Sequence, residues 1–257
     1  MSSDKKISDK KIAVITGGAT GIGKETARLL VADGVHVVLS GRRKDVGEQT
    51  IAELTANGGS ASFLVADMDS QDSISALFDS VVAEFGRLDY AVNNAGLAHE
   101  TAAIADADPV KFQEMLSTNV MGLFLCMQRE IKEMLAGGRG GAIVNLASIA
   151  GLNGIPYSGP YAATKHAVVG LTKTAGIEYS AQGVRVNAVA PGAIKTDIIA
   201  RAITLGQYDE ATITEMHPMG RMGQPQEIAA GIHWLLSDQA SFVAGAILNI
   251  DGGFQAK

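Results

Sequence analysis

Tyr161 and Lys165 stand four residues apart, a spacing that on a helix turns both side chains to one face. Pro160 suits the first turn of such a helix, so the pair falls just inside its start. A phenol beside an ammonium can move a proton to or from a reacting oxygen. The reference phenol pKa is about 10, so phenolate near neutrality requires a fall of roughly 3 pH units, or about 4 kcal/mol. One ammonium at ~4 Å in an effective dielectric of ~20 supplies about 4 kcal/mol before desolvation is subtracted, which leaves the lysine alone borderline. An exposed amphipathic helix presents the same Tyr-x-x-x-Lys spacing, so the pair gains weight only from its company. Part of that company is Thr16-Gly-Gly-Ala-Thr-Gly-Ile-Gly23. Glycines at 17, 21 and 23 permit a sharp turn and let backbone N–H groups approach a pyrophosphate at a helix N-terminus. The spacing is GxxxGxG, not the commoner GxGxxG, and a glycine-rich turn alone is a weak signal.

Such residues need a frame, and the chain alternates to provide one. Apolar, β-prone runs at 12–16, 35–40, 62–66, 88–93, 142–146, 185–189 and 247–250 are separated by helical patterns at 23–33, 46–56, 70–85, 109–135, 160–181 and 225–236. This alternation implies a parallel sheet with helices on both faces. The stretch 193–224 is long for a connection, and excursions of that length are commonly functional lids. No linker or composition step marks a domain boundary, so the expectation is a tail at 1–10 and one domain at 11–257.

Composition limits the remaining choices. The 257 residues are 47% hydrophobic and 19% charged, enough for a sizeable core and unlike a disordered chain. Glycine, at 30 of 257, is in excess. A net charge of −6 gives no global field for nucleic acid or an anionic membrane. Cys126 is the single cysteine, the start lacks the apolar core of a signal peptide, and no apolar run approaches the ~18 residues of a membrane span. A cytoplasmic protein is expected. His36, His99, His166, His217 and His233 show no ligand spacing, and no metal is expected. Met115, Met121, Met127 and Met134 with Cys126 read as a packed or subunit-facing stripe on the 109–135 helix.

Thr16-Gly17-x-x-x-Gly21-Ile22-Gly23, Asn93-Asn-Ala-Gly96, Asn119, Ser148, Tyr161-x-x-x-Lys165 and Pro191-Gly192 with Thr196 occur in an order that resembles the short-chain dehydrogenase/reductase family, over nearly the whole chain. The resemblance implies an α/β, Rossmann-like doubly wound parallel sheet flanked by helices, one domain with a substrate lid. It implies hydride transfer between a nicotinamide cofactor and a ketone, aldehyde or alcohol. Tyr161 would be the general acid/base, Lys165 would tune it and bond the nicotinamide ribose, Ser148 would polarise the substrate oxygen, and Asn119 would hold a water in a proton relay. The cofactor would meet Gly17, Thr20, Gly21, Ile22, Gly23, Asp67, Met68, Asn94, Ala95, Gly96, Pro191, Gly192, Ile194 and Thr196.

In NAD-preferring relatives an acid follows the second strand; Gly41 stands there in this chain, followed by Arg42 and Arg43, which fit a 2′-phosphate. NADP is therefore expected, with NAD as the alternative, and Asp45 is read as a helix cap. Asn153 and Tyr157 would join Ser148 and Tyr161 around the substrate, with 97–101 and an apolar lid of Ile198, Ile199, Ile203, Leu205 and Tyr208. A hydrophobic ketone fits, although those side chains could equally pack the lid to the body. Family relatives form homotetramers through the two long helices and the C-terminal segment. The longer Tyr-Lys spacing of enoyl-reducing relatives is absent, which favours C=O over C=C reduction. Two rival readings remain. One is a 3-oxoacyl thioester reductase, whose acidic carrier protein asks for more than the scattered Arg129, Lys132 and Arg139. The other is a non-catalytic dinucleotide sensor, against which Ser148, Tyr161 and Lys165 stand.

Overall fold

Among the described residues, seven strands form one wholly parallel sheet, in the order β3-β2-β1-β4-β5-β6-β7. The computed structural model describes residues 10–98, 102–206 and 209–256, and of Ile198 only the backbone. The expected tail apart from Lys10, residues 99–101 of the expected substrate wall, and Tyr208 lie outside the described residues. The strands are β1 Ile12–Thr16, β2 His36–Gly41, β3 Ala61–Val65, β4 Tyr90–Asn93, β5 Gly141–Leu146, β6 Val184–Pro191 and β7 Ile247–Ile250. The helices are α1 Gly21–Ala32, α2 Lys44–Thr55, α3 Gln71–Phe85, α4 Pro109–Leu116, α5 Leu123–Ala136, α6 Gly159–Tyr179, α7 Asp197–Thr204, α8 Glu210–Glu215 and α9 Pro225–Leu236.

The apolar runs are continuous because the central strands are buried on both faces. Along β1, Ile12 and Val14 enter one core with Phe78, Met134 and Val168, while Ala13 and Ile15 enter the other with Leu30, Ile228 and Ile232. The period of two thus sorts one strand's side chains between two helix layers. Met115, Met127, Met134 and Cys126 are all core residues, whereas Met121 is exposed. Strand order reverses between β1 and β4. In an open parallel sheet this is where a crevice opens at the carboxyl ends of the strands.

The single helix expected at 109–135 is interrupted by a π-helical turn, Ser117–Gly122. Gly122 sits hard against the chain after β3, where a Cβ would lie 2.2 Å from the Met68 carbonyl oxygen. The wider turn carries Asn119 inward, to 1% exposure. Such π-bulges recur at functional sites.

Beneath the switch point lies a polar network with no sequence signature. Asn93 Nδ2 donates to Glu130 Oε2 and to Asn145 Oδ1, both at 2.9 Å, and Asn145 Nδ2 donates to Thr172 Oγ1 at 2.9 Å. The network ties β4 and β5 to α5 and α6. Glu130 is fully buried, and burial pushes its carboxyl up to about 8, against the Asn93 hydrogen bond that pulls it down. A carboxyl raised above its ordinary value stabilises the fold fully below about 4.5 and loses that contribution as pH rises through about 8. The melting temperature should therefore fall between pH 5 and 8 by at least roughly 3 °C, about 1 kcal/mol for a domain of this size. Glu130→Gln should remove that component, and a melting profile over pH that the substitution leaves unchanged would refute the assignment.

Candidate active site

The glycine turn is built by its neighbours as much as by its own residues. Gly17 and Gly21 have φ of +61° and +53°, which L side chains rarely adopt. A Cβ on Gly23 would lie 2.8 Å from both Asn94 Nδ2 and the Gly17 carbonyl oxygen. Asn94 Nδ2 donates to the Thr16 and Gly17 carbonyls at 3.0 and 2.8 Å, and Thr16 Oγ1 accepts the N–H groups of Asn94 and Ala95 at 3.1 Å each. Asn94 thus spends its amide on shaping the turn. Thr20 is the N-cap of α1 in extended conformation. The first helical bond runs from Lys24 N–H to Thr20, so the N–H groups of Gly21, Ile22 and Gly23 have no helical acceptor. Gly21 packs beside Thr196, where an added Cβ would lie 3.4 Å from Thr196 Cγ2, and both line a cleft of about 570 Å³ with Lys195, Ile199, Ile203 and Met222. A dinucleotide's diphosphate fits a turn whose N–H groups have no helical acceptor.

After β2, where the resemblance leads one to expect the adenosine, a Cβ at Gly41 would meet only the Phe63 ring, at 3.8 Å, so packing does not demand glycine there. Arg42 and Arg43 are exposed, and neither enters an ion pair among the described residues. Arg43 is the N-cap of α2, and Asp45 lies within the first turn; the expected cap at Asp45 is corrected, its carboxylate acting on the helix dipole instead. Asp67 accepts the Asp69 N–H at Oδ1 and gives its own N–H to Ser73 Oγ. Met68 turns its side chain into the core, where the Cys126 thiol reaches its sulfur at 3.6 Å.

Ser148 follows β5 on an extended residue, and its Oγ accepts the Ala150 N–H at 3.1 Å, which leaves the hydroxyl proton to donate elsewhere. The turn after it presses on α6, where a Cβ at Gly151 would lie 2.7 Å from the Lys165 carbonyl oxygen. Pro160 occupies the first turn of α6, as its position suggested. Lys165 is 5% exposed, donates from Nζ to the Leu146 carbonyl at 2.7 Å and stands over the Tyr161 ring, 5.6 Å from its centroid. Burial lowers its ammonium from 10.5 to about 8. Asn119 clasps Leu97, accepting its N–H at 2.7 Å and donating to its carbonyl at 2.8 Å, and reaches Thr164 Oγ1 at 3.2 Å. A Cβ at Gly96 would lie 3.4 Å from Asn119 Oδ1 and 3.6 Å from Lys165 Nζ, so these groups converge on that glycine.

The residues expected around the substrate are more open. Asn153 Nδ2 donates to the Ile149 carbonyl at 3.2 Å, and Tyr157 exposes 64% of its surface. Tyr157 is the one non-glycine residue with positive φ, 62°, among the described residues. Its carbonyl accepts the Ala102 N–H at 2.9 Å, which holds the turn before α6 to the loop after β4. Pro191 ends β6, and Ile194 is buried with Ile228, its side chain turned into the core and not toward the cleft. Thr164, Thr16 and His217 were not singled out as site residues in the sequence. Thr16 opens the glycine motif and Thr164 adjoins Lys165, which could have signalled them, whereas His217 has no such neighbour.

A family model described as enoyl-(acyl carrier protein) reductase matches residues 17–255. The 2,5-dichloro-2,5-cyclohexadiene-1,4-diol dehydrogenase of Sphingobium indicum is 42% identical over 246 residues, covering 96% of this chain and 97% of that protein. The cyclohexanol dehydrogenase of Acinetobacter sp. (strain SE19) is 41% identical over 249 residues, 97% of this chain and 96% of that one. The structure of ElxO with NADP bound matches with a TM-score of 0.90 at 38% identity, over 96% of this chain and 100% of that one. The glycine turn at the sheet's switch point and the Tyr-Lys pair beside the serine-bearing strand share one origin: the chain belongs to the short-chain dehydrogenase/reductase family of oxidoreductases.

Proposed function

We propose that the protein interconverts a cyclic secondary alcohol and its ketone with NADP(H). The observation that carries this reading is Lys165, a buried ammonium fixed by Leu146 at the end of the strand leading to Ser148 and set over the ring of Tyr161. When bound, the nicotinamide group gives or takes the hydride. The protein handles the proton: Ser148 donates a hydrogen bond to the substrate oxygen, where negative charge develops, and Tyr161 protonates that oxygen in reduction or deprotonates it in oxidation. Lys165 stabilises the phenolate form and bonds the nicotinamide ribose. Asn119, whose side chain is committed to Leu97, serves the water relay toward Lys165 by placing its helix turn.

Gly17, Gly21, Ile22 and Gly23 hold the diphosphate, Arg42 and Arg43 the 2′-phosphate, and Asp67 with the Met68 N–H the adenine edge. Pro191, Gly192 and Thr196 border the nicotinamide. The segment 193–224 closes over the substrate, with Ile199, Ile203 and Leu205 as its apolar surface and Asn153 and Tyr157 opposite. Two relatives above 40% identity carry the names of ring-alcohol dehydrogenases, which supports an alicyclic substrate. The cytoplasm is the proposed location. Exposed Met121 and Phe124 near the start of α5 and Ile177 on α6 support a homotetramer built on those helices.

The description of the matching family model supports a second reading, reduction of an acyl-carrier thioester. Tyr161 and Lys165 are only four apart, which favours the 3-oxoacyl over the enoyl substrate. A panel of cyclohexanols, cyclohexanones and 3-oxoacyl thioesters, run with both cofactors, separates the two. Turnover of thioesters alone would replace the first reading.

Tyr161→Phe should keep NADPH binding within about twofold and lose at least roughly a hundredfold in kcat, the scale of a general acid/base. Near-normal turnover would overturn the mechanism. Arg42→Ala should raise the KM for NADPH about tenfold, the equivalent of one charged hydrogen bond, with little change for NADH. Gly41→Asp, for which the structure has room, should move preference to NADH. Equal losses with both cofactors would remove the NADP assignment.

A further inference from the structure

His217 lies just past α8, 3% exposed, and both its ring nitrogens are committed to backbone. Nδ1 meets the Ile213 carbonyl at 2.9 Å, and Nε2 meets the N–H of Ala193 at 3.0 Å. A carbonyl can only accept and a backbone N–H can only donate, so the ring carries its proton on Nδ1 and uses Nε2 as acceptor. Ala193 is the first residue of the long excursion and follows Gly192. A Cβ on Gly192 would lie 2.5 Å from His217 Nε2 and 3.1 Å from Asp251 Cα, so glycine is what admits the ring.

The same junction is closed from its other end. Gly223 gives its N–H to the Ala193 carbonyl at 2.9 Å and accepts the N–H of Lys195 at 2.9 Å. Met219 N–H reaches the Gly252 carbonyl at 3.0 Å, and the His217 ring lies 5.8 Å from that of Phe254. Residues 213–223 are thus fastened to the ends of β6 and β7; α7 and α8 each bury one described side chain, Ala202 and Ile213, so hydrogen bonds to the body and not burial set the end of α8 apart. Segments with few fixed contacts to the body open most readily.

We propose that His217 is a positioning residue, which fixes the Gly192–Ala193 backbone beside the nicotinamide site and divides the excursion into an anchored α8 and a movable α7. The proposal rests on the cofactor reading above for the ligand, while the anchoring itself concerns only this chain. The tests are amide hydrogen exchange without cofactor, and NADPH binding by fluorescence, on His217→Gln and His217→Met. Glutamine keeps a donor and an acceptor; methionine fills the space and leaves the Ala193 N–H unpaired.

His217→Met should speed exchange at Ala193 at least tenfold, weaken NADPH about tenfold and raise its KM more than it lowers kcat. His217→Gln should recover most of both effects. A methionine variant that melts lower yet keeps wild-type exchange at Ala193 and wild-type NADPH affinity would show a merely structural role and overturn the proposal. Should the methionine variant not fold, the unmodified protein decides. Amides of α7 should exchange at least tenfold faster than Ala193 and the end of α8, and equal rates would overturn the division. Wild-type protein that binds no NADP(H) would defeat the proposed function, and faster exchange at Ala193 in the methionine variant would still establish the anchor.

Discussion

Lys165 is a cation held away from water, and the active end of the molecule is arranged around keeping it there. Burial lowers its ammonium to about 8, so it remains mostly protonated at neutral pH but with little margin. Its bond to the Leu146 carbonyl supplies a fixed acceptor in place of solvent. That acceptor exists because β5 ends there and the chain turns at Ser148 into the tight Gly151 contact with α6. The bond that satisfies the lysine therefore also sets the distance between the serine-bearing turn and the helix of Tyr161. Removing any one of these would leave a buried ammonium without its acceptor or a phenol without its neighbour.

Backbone groups do most of the positioning around the glycine turn. Thr16 Oγ1 and Asn94 Nδ2 cross-link the turns that follow β1 and β4, so the crevice at the strand switch is braced by side chains bonded to main chain. Parallel register delivers both turns to the same end of the sheet, with Thr16 opposite Asn93. The Asn93, Glu130 and Asn145 network performs the same service one layer down, where β4 and β5 would otherwise meet α5 through apolar contact alone. A neutral carboxyl is compatible with that interior, and its ionisation at high pH would place an unpaired charge beneath both halves of the site.

Local chemistry in the sequence announced the strands, the helix starts and the motif residues. Gly34, Gly86 and Gly183 stand where a helix hands over to a strand, and each has φ between 62° and 85°. Pro160 and Pro225 marked their helix starts because proline's fixed φ suits a first turn. The features that escaped depend on partners far along the chain. Nothing around Glu130 says that Asn93, 37 positions earlier, will face it. The close seat of Gly122, at the end of the π turn Ser117–Gly122, was unreadable because the Met68 backbone it packs on belongs to another unit. His217 lacked ligand spacing and so carried no signal, although its partner Ala193 lies only 24 positions earlier.

Gly41 and Gly192 show why a motif glycine has to be read in its surroundings. At Gly41 an added Cβ would find ordinary contact with Phe63, so the fold tolerates a side chain and the absence of one acts on whatever lies outside. That is the behaviour expected of a position that selects a ligand. At Gly192 an added Cβ would strike the His217 ring at 2.5 Å, a contact the backbone cannot relieve without moving Ala193. Glycine there serves the protein's own interior first, and a ligand only through the backbone that the histidine holds in place. The two positions carry the same residue for opposite reasons, one steric permission facing outward and the other facing inward. A substitution at Gly41 should therefore change which cofactor is accepted, whereas one at Gly192 should disturb the whole junction between β6, the excursion and the C-terminal segment.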